Sequence, residues 1–126
     1  MYRVGIDLVD VPGFEARFTG RDDALGDVFT ESELAYSRRQ HDPWRHLAAR
    51  FAAKEALLKA LASGLTGAMR WRDIEVRRDP AGTPALVIGG ATGEKLRGQG
   101  LVACSVSMSH TATCAVAVVV LVPSSA

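Results

Sequence analysis

Residues 50–61 read Arg-Phe-Ala-Ala-Lys-Glu-Ala-Leu-Leu-Lys-Ala-Leu, and this stretch decides the fold of the chain. Its Ala, Leu, Lys, Glu and Arg residues are strong helix formers. Asp42 before Pro43 predicts an N-cap followed by proline at the first helical position, and Gly64 predicts the C-terminal stop. Such a helix extends for roughly 30 Å, enough to cross a small domain. The sequence therefore predicts one long central helix.

The charged residues of this helix lie among apolar ones. Large apolar side chains cover one arc of the helical wheel and alanines cover most of the rest, so no clean polar face remains. Lys54 falls within the large apolar arc, whereas Glu55 and Lys59 lie one turn apart on a single stripe. A buried charge costs several kcal/mol unless it is paired. Two interpretations follow: a Glu55–Lys59 salt bridge on a half-exposed helix, or a metal ion at Glu55 with an anion at the lysines.

Composition and charge limit the classes of protein that fit this sequence. The chain has 126 residues, 48% of them hydrophobic, and we expect a single domain over residues 1–126 with a real core. A net charge of only +1 argues against a general nucleic-acid binder. No signal sequence is recognisable, and the apolar run from Ala115 to Val122 is too short to span a bilayer. We therefore expect a cytoplasmic protein without nucleic-acid or membrane partners.

An alternating stretch begins the chain and predicts a β-strand over residues 2–9. One side carries Val4, Ile6 and Leu8, and the other carries Gly5, Asp7 and Val9. Aspartate is depleted in strands, so Asp7 among apolar neighbours indicates either a solvent-facing position or a metal ligand.

A short helix is predicted after the turn at residues 10–13. Aromatic and basic side chains share one of its faces at i, i+3, i+4 and i+7: Phe14, Arg17, Phe18 and Arg21. Such a face is either a core stripe edged by solvated arginines or a docking surface for an acidic partner, because interfaces favour aromatic residues and arginine. Farther along, residues 38–50 hold four arginines and two histidines against one aspartate. This basic cluster is the best anion-attracting feature of the chain.

The second half of the chain predicts a hairpin, a short helix and two strands. These elements cover residues 74–77 and 84–88, about 92–99, and 102–121. Ser109, His110 and Thr111 lie at or beside the last turn, after a row of serines. A lone turn histidine is most often structural, and the alternative is that it contacts a phosphate. Cys104 and Cys114 are expected to be buried thiols, with a disulfide across the hairpin as the less favoured alternative.

Four of these segments occur together and in order: Gly5-Ile6-Asp7, Arg50-Phe51-Ala52-Ala53-Lys54-Glu55-Ala56 with Lys59-Ala60, Asp73-Ile74-Glu75-Val76 before a Gly-x-Pro hairpin, and Ser105-Val106-Ser107-Met108-Ser109-His110. In this combination the chain resembles the holo-acyl-carrier-protein synthase family, the small 4′-phosphopantetheinyl transferases, over essentially its whole length. The long-helix motif is highly specific, and the other three are weak in isolation. The resemblance implies an α+β fold, the 4′-phosphopantetheinyl transferase fold, with one long central helix on a small, mostly antiparallel sheet.

The resemblance also implies an enzyme. Members of this family transfer the 4′-phosphopantetheine group of coenzyme A to a serine of an apo-acyl carrier protein, release 3′,5′-ADP and use Mg²⁺. By similarity, Asp7 and Glu55 are the metal ligands, in keeping with a metal that takes one or two carboxylates and completes its shell with phosphate and water. Glu55 and Lys59 are the catalytic candidates by the same resemblance. The general base is either Glu55 acting through an ordered water or an acid on the carrier.

The partners implied by the resemblance are coenzyme A, an acidic carrier and further copies of the chain. The coenzyme A phosphates would be contacted by Arg50, Lys54, Lys59, Ser109, His110 and Thr111. The carrier would dock on the face formed by Phe14, Arg17, Phe18 and Arg21. Family members are commonly homotrimers whose active sites are shared between subunits. A carrier of fatty acid, polyketide or peptide synthesis fits the sequence equally well.

Two turns depart from the family pattern. Residues 81–84 read Ala-Gly-Thr-Pro where many relatives read Asn-Gly-Lys-Pro, which removes a cation near the nucleotide. After His110, Ala112-Thr113-Cys114 replaces a commoner charged and aromatic trio. We expect activity to survive these changes and the affinity for carrier or nucleotide to differ.

Two other classes of protein stay open. A metal-dependent phosphohydrolase would use the same ion but would need further clustered carboxylates, which the sequence does not place near Asp7 or Glu55. A non-catalytic coenzyme A-binding module would not need both carboxylates.

Overall fold

The computed structural model describes residues 1–124, except for the side chain of Cys104. Its elements in chain order are β1 (Arg3–Asp10), α1 (Val11–Phe18), α2 (Asp22–Val28), α3 (Glu31–Arg38), α4 (Pro43–Ala60), a 3₁₀ turn (Trp71–Asp73), β2 (Ile74–Arg78), β3 (Pro84–Ile88), α5 (Gly90–Gly98), β4 (Leu101–His110) and β5 (Cys114–Pro123). The expectation for the Cys104 thiol lies outside the described side chains, and Cys114 is a half-buried free thiol. These elements confirm the predicted α+β class.

The long helix packs on a small antiparallel sheet, as expected. Three strands pair in the order β1-β5-β4, and β2 pairs with β3 in a separate hairpin. The core between α4 and the three-stranded sheet includes fully buried Leu57 and Val119. None of the helices within residues 1–124 is long and apolar enough to cross a bilayer.

The ends of α4 differ from the sequence expectation. Asp42 occupies the N-cap position, but its carboxylate accepts from Arg45 Nε at 2.9 Å and bonds no helical N–H. At the other end Ala62 adopts a left-handed φ of 55°, so the helix ends before Gly64. The backbone N–H of Ser63 bonds back to the carbonyl of Leu58 at 3.0 Å, which satisfies the last turn without a glycine.

The shorter helices also have shifted ends. α1 ends at Phe18, so Arg21 lies beyond it at the N-cap of α2, and α5 begins at Gly90, before the expected Thr92. α3 begins at a capping box. Thr30 Oγ1 accepts from the Glu33 N–H at 3.3 Å, and the Thr30 N–H donates to Glu33 Oε1 at 3.0 Å.

The side of β1 that carries Gly5, Asp7 and Val9 faces α4. Gly5 is buried there, and a Cβ added to it would lie 1.8 Å from the carbonyl oxygen of Ala56. On the opposite side Val4, Ile6 and Leu8 are 63%, 57% and 68% exposed. The close approach of strand and helix therefore requires a glycine, and it leaves the more apolar side of β1 facing away from the helix.

Gly5→Ala is expected to lower the free energy of unfolding by about 2–3 kcal/mol, because α4 and β1 must separate to admit the methyl group. Denaturant unfolding measures this change. Gly26→Ala is the matched control: it lies inside α2, nothing lies within 4 Å of its added Cβ, and its φ is not left-handed. This control is expected to raise stability by up to about 1 kcal/mol. Equal losses in both variants would contradict a tight contact at Gly5.

Candidate active site

Two carboxylates lie near each other where β1 packs on α4. Asp7 comes from the helix-facing side of the strand, and Glu55 comes from the helix. Burial raises the pKa of Glu55, the neighbouring Asp7 carboxylate raises it further, and Lys59 and Arg17 act in the opposite direction. A cation bound between the two carboxylates would favour the ionised form of Glu55 and so offset this rise in its pKa.

Lys59 bonds to the strand side of this pair. Its Nζ donates to Asp7 Oδ1 and to the Ile6 carbonyl oxygen, both at 3.0 Å. The salt bridge inferred from helical spacing joined Lys59 to Glu55, whereas its hydrogen-bonded acid here is Asp7, far away in sequence. The Lys59 side chain is 56% exposed, so this ion pair contributes little stability and can exchange for a ligand.

The donor set fits a magnesium ion completed by a substrate. Mg²⁺ prefers oxygen ligands and is typically bound through one or two carboxylates, with phosphate and water in the remaining positions. In the described part of the chain, no group of three or more His, Cys, Asp or Glu side chains is placed to hold a metal. Asp7 and Glu55 therefore lack the further carboxylates expected of the phosphohydrolase alternative.

A second group of polar residues lines a cavity of about 290 Å³ between α4, the end of β2 and the end of β4. Its lining includes His46, Arg50, Arg78, Met108, Ser109 and His110. Arg50 is only 2% exposed, yet its Nε has no hydrogen-bond partner within residues 1–124, and the same holds for the buried Nδ1 of His110. Buried polar groups left unpaired cost free energy, so a polar ligand in the cavity would find two lining residues with unused hydrogen-bonding capacity.

The two histidines of this cavity contact each other, with ring centroids 4.7 Å apart. Burial lowers the pKa of both His46 and His110. For His46 the next causes are His110, Arg50 and Arg78, while Asp42 raises its pKa. For His110 the next cause is Arg45, with Asp42 acting in the opposite direction and Arg78 and Arg50 lowering the pKa again. Both imidazoles are therefore mainly neutral at pH 7, and a bound anion would favour their protonation.

Arg78 has no counterpart among the site residues expected from the sequence. It ends β2, where it pairs with Pro84 of β3, and it donates to the Gly82 carbonyl at 2.6 Å. Its guanidinium thus comes from the same hairpin whose Thr83 stands in place of the family's lysine. The sequence signal that points to it is the Arg77-Arg78 pair at the end of an alternating strand, which brings cations to the hairpin.

Two of the residues expected at coenzyme A have internal partners. Lys54 is 0% exposed, and its Nζ donates to Glu33 Oε1 at 2.9 Å, to the Trp71 carbonyl at 3.2 Å and to the Ile74 carbonyl. These bonds join α3, α4 and β2, so Lys54 is a structural cation and not a phosphate contact. Thr111 is exposed, and its Oγ1 accepts from the Cys114 N–H at 3.1 Å within the β4–β5 turn.

The aromatic half of the expected docking face is core. Phe14 and Phe18 are 5% and 4% exposed and belong to a buried cluster with Phe29. This corrects the docking-surface reading for the two aromatic residues. Arg17 and Arg21 remain exposed, and Arg17 acts electrostatically on Glu55. An acidic partner that reached Arg17 would therefore lie beside the carboxylate pair.

The chain is similar to known proteins over almost its whole length. A family model described as the 4′-phosphopantetheinyl transferase superfamily matches residues 3–117. A holo-[acyl-carrier-protein] synthase of Geobacter sp. is 44% identical over 122 residues, which are 96% of this chain and 98% of that protein. The crystal structure of holo-[acyl-carrier-protein] synthase from Neisseria meningitidis superposes with a TM-score of 0.84 at 33% identity, covering 95% of this chain and 97% of that one. A coenzyme A complex from Chronobacterium ammoniagenes gives a TM-score of 0.84 at 29% identity, with 98% of each chain covered.

Proposed function

The chain belongs to the 4′-phosphopantetheinyl transferase superfamily and transfers 4′-phosphopantetheine from coenzyme A to an apo-acyl carrier protein, and we propose that it does so with Mg²⁺ held by Asp7 and Glu55. The observation that carries the proposal is the placement of these two carboxylates beside Lys59, in a chain whose relatives are named holo-[acyl-carrier-protein] synthase. The expected family and fold are confirmed.

The reaction moves one phosphoryl centre. The serine oxygen of the carrier bonds to the phosphorus that bears pantetheine, and the bond from that phosphorus to 3′,5′-ADP breaks. A bound Mg²⁺ would neutralise charge that develops on the diphosphate. Lys59 would exchange Asp7 for a diphosphate oxygen, since it is exposed and, within residues 1–124, its side chain donates to the Ile6 carbonyl and Asp7. Glu55 would accept the serine proton through a water, with a carrier carboxylate as the alternative base.

We place the phosphates of coenzyme A beside the second cavity. Arg50 and His110 each have an unpaired buried nitrogen there, and Ser109 lies next to His110. His46 and Arg78 join the set because they line the same cavity. Charge-assisted hydrogen bonds to phosphate oxygens would satisfy these groups. The carrier would approach from Arg17 and Arg21, where exposed cations suit an acidic protein. The cytoplasmic location expected from the sequence stays a prediction.

The test is the intact mass of apo-acyl carrier protein after incubation with this protein, coenzyme A and Mg²⁺, with and without a chelator. A gain of one phosphopantetheine that the chelator abolishes supports the proposal. Coenzyme A breakdown without a gain in carrier mass favours the phosphohydrolase. Binding of coenzyme A with neither breakdown nor transfer, for carriers of fatty acid, polyketide and peptide synthesis, favours the binding module.

The affinity for 3′,5′-ADP is expected to rise as the pH falls from 8 to 6. The lowered pKa values of His46 and His110 make both imidazoles neutral at pH 8, and each proton gained at lower pH adds attraction for the phosphates. Isothermal titration calorimetry at several pH values measures this trend. A His46→Asn/His110→Asn double variant reports the titration of the ligand alone. If the double variant follows the same pH curve as the wild type, the histidines are not the titrating groups.

We further propose that copies of the chain associate through the outer face of the three-stranded sheet. Exposed Val4, Ile6 and Leu8 lie there beside a row of β5 valines, and Ile6 pairs with Val118. β1 and β4 flank β5, so Asp7 and His110 lie two strand spacings, roughly 10 Å, apart across the sheet and two residues, roughly 7 Å, apart along it. In a homotrimer, one active site could combine the carboxylate pair around Asp7 of one copy with the cavity around His110 of a neighbouring copy.

Ile6→Asp is expected to convert such a trimer to monomers, because a carboxylate in an apolar interface without a partner costs several kcal/mol. Sedimentation velocity at micromolar concentration measures the change. Val87→Asp is the control, since Val87 is an exposed apolar residue of β3, outside this sheet face. Loss of association in the control variant, or none in Ile6→Asp, would place the interface elsewhere.

A further inference from the structure

Tyr36 of α3 is the side chain around which three arginines gather, and two of them, Arg50 and Arg78, line the histidine cavity. The guanidinium carbon of Arg50 lies 4.3 Å from the centroid of its ring, that of Arg78 lies 5.4 Å away, and that of Arg39 lies 5.8 Å away. The centroid of the His46 ring also lies 6.1 Å from the centroid of the Tyr36 ring. These four residues come from three separate parts of the chain and meet at one aromatic ring.

None of the salt bridges within residues 1–124 includes Arg39, Arg50 or Arg78. The salt bridges of the described chain join Arg45 with Asp42, Lys54 with Glu33, Lys59 with Asp7, and Arg77 with Glu75. Burial lowers the pKa of Arg50 and the neighbouring Arg78 lowers it further, while Glu33 and Tyr36 raise it. The guanidinium groups therefore repel one another, and the ring face is the attractive partner that they share.

The position of the ring connects this cluster with the proposed ligand site. Arg50 and Arg78 line the histidine cavity, and both also line a neighbouring cavity of about 250 Å³ together with Tyr36. Arg50 is held further by a hydrogen bond that its Nη1 donates to the His46 carbonyl at 3.3 Å. Arg78 starts from an exposed position at the end of β2, and its guanidinium is held by the Gly82 carbonyl and by the Tyr36 ring.

We propose that Tyr36 is a positioning residue for coenzyme A: its ring holds the guanidinium groups of Arg50, Arg78 and Arg39 together, so that a phosphate group meets an assembled cation cluster. This inference rests on the proposed function, because the ligand is the phosphate-bearing nucleotide end of coenzyme A. The residue acts through the arginines and does not touch the reacting atoms. Preassembly lowers the cost of ordering long side chains when the anion binds.

The test compares Tyr36→Leu with Tyr36→Phe. Calorimetry with 3′,5′-ADP is expected to show a dissociation constant about tenfold higher for Tyr36→Leu, since one desolvated cation–π contact or two exposed ones account for that factor. Tyr36→Phe keeps the ring face and is expected to stay within about twofold of the wild type. In the transfer assay Tyr36→Leu should raise KM for coenzyme A by a similar factor and leave kcat unchanged.

A double-mutant comparison with Arg78 distinguishes a positioning role of Tyr36 from a general loss of stability. In an Arg78→Ala background, Tyr36→Leu should weaken 3′,5′-ADP binding by clearly less than tenfold, because part of its effect acts through Arg78. Equal dissociation constants for Tyr36→Leu and the wild type, or equal losses in Tyr36→Leu and Tyr36→Phe, overturn the inference whatever the transfer assay shows. A wild type that binds 3′,5′-ADP but does not transfer overturns the proposed function alone. A wild type that binds no 3′,5′-ADP overturns both.

Discussion

Glu55→Gln is expected to reduce the rate of phosphopantetheine transfer by about 1000-fold, a loss of roughly 4 kcal/mol in transition-state stabilisation. Gln keeps the size of the side chain and one oxygen but removes the charge that a metal ion requires. The same substitution removes the carboxylate that would accept the serine proton through a water. Both roles proposed for Glu55 are therefore lost while its packing in α4 is retained.

The stability of this variant is expected to move in the opposite direction. The pKa of Glu55 is raised by burial and by Asp7, which means that the ionised side chain is disfavoured in the folded protein. A neutral amide removes this penalty, so Glu55→Gln should be at least as stable as the wild type at pH 7. Loss of activity together with retained or increased stability is the pattern of a functional residue that is strained by its surroundings.

The measurement is the initial rate of carrier modification at saturating coenzyme A and Mg²⁺, alongside thermal unfolding of the same samples. Glu94→Gln is the control, because Glu94 is an exposed glutamate of α5, remote in sequence from the carboxylate pair. Its rate should equal that of the wild type. If Glu55→Gln turns over at the wild-type rate, the metal role assigned to this residue is wrong. A lower rate accompanied by a lower unfolding temperature would point to misfolding.

The sequence predicts most of this fold because its signals are local. The apolar and alanine-rich pattern of α4 and the capping box at Thr30 and Glu33 each depend on residues within a few positions of one another. Helix ends are less predictable. α4 ends at Ala60 and is closed by a Schellman turn with Ala62 in the left-handed conformation, whereas Gly64 in the sequence suggests a later stop.

The errors at the site have a common physical origin, which is partners distant in sequence. Helical spacing offers Glu55 as the acid for Lys59, but the strand supplies Asp7 at 3.0 Å. Phe14 and Phe18 share a face with arginines, a pattern that fits a core stripe as well as a docking surface, and the packing of α1 against other aromatics decides for the core. Arg78 enters the histidine cavity from a hairpin whose placement the local sequence does not encode.

Lys54 also has its partners at distant positions in the sequence. It belongs to the specific motif of the long helix, yet it acts as a structural cation. Its side chain and that of Glu33 are both 0% exposed, and the two are joined at 2.9 Å. Glu33 also accepts from the Val76 N–H at 3.0 Å through its second oxygen. The pair therefore connects α3 and α4 to β2, beside the cavity that Tyr36, Arg50 and Val76 line.

Lys54→Met is expected to lower the free energy of unfolding by about 4 kcal/mol, because it leaves the Glu33 carboxylate buried without its cation and two backbone carbonyls without a donor. Denaturant unfolding measures this loss. Lys59→Met, which truncates an exposed lysine of the same helix, is the control and should change stability by less than about 1 kcal/mol.

A second substitution distinguishes a lost ion pair from lost packing. Glu33→Gln/Lys54→Met removes the uncompensated charge but keeps an oxygen for the Val76 N–H, so it should recover a large part of the stability lost in Lys54→Met. A double variant as unstable as the single one would show that the loss comes from shape and not from charge. If Lys54 instead contacted coenzyme A, Lys54→Met would raise KM for coenzyme A and leave the unfolding free energy unchanged. The burial of Lys54 and its donation to Glu33 and two carbonyls support the stability loss as the expected result.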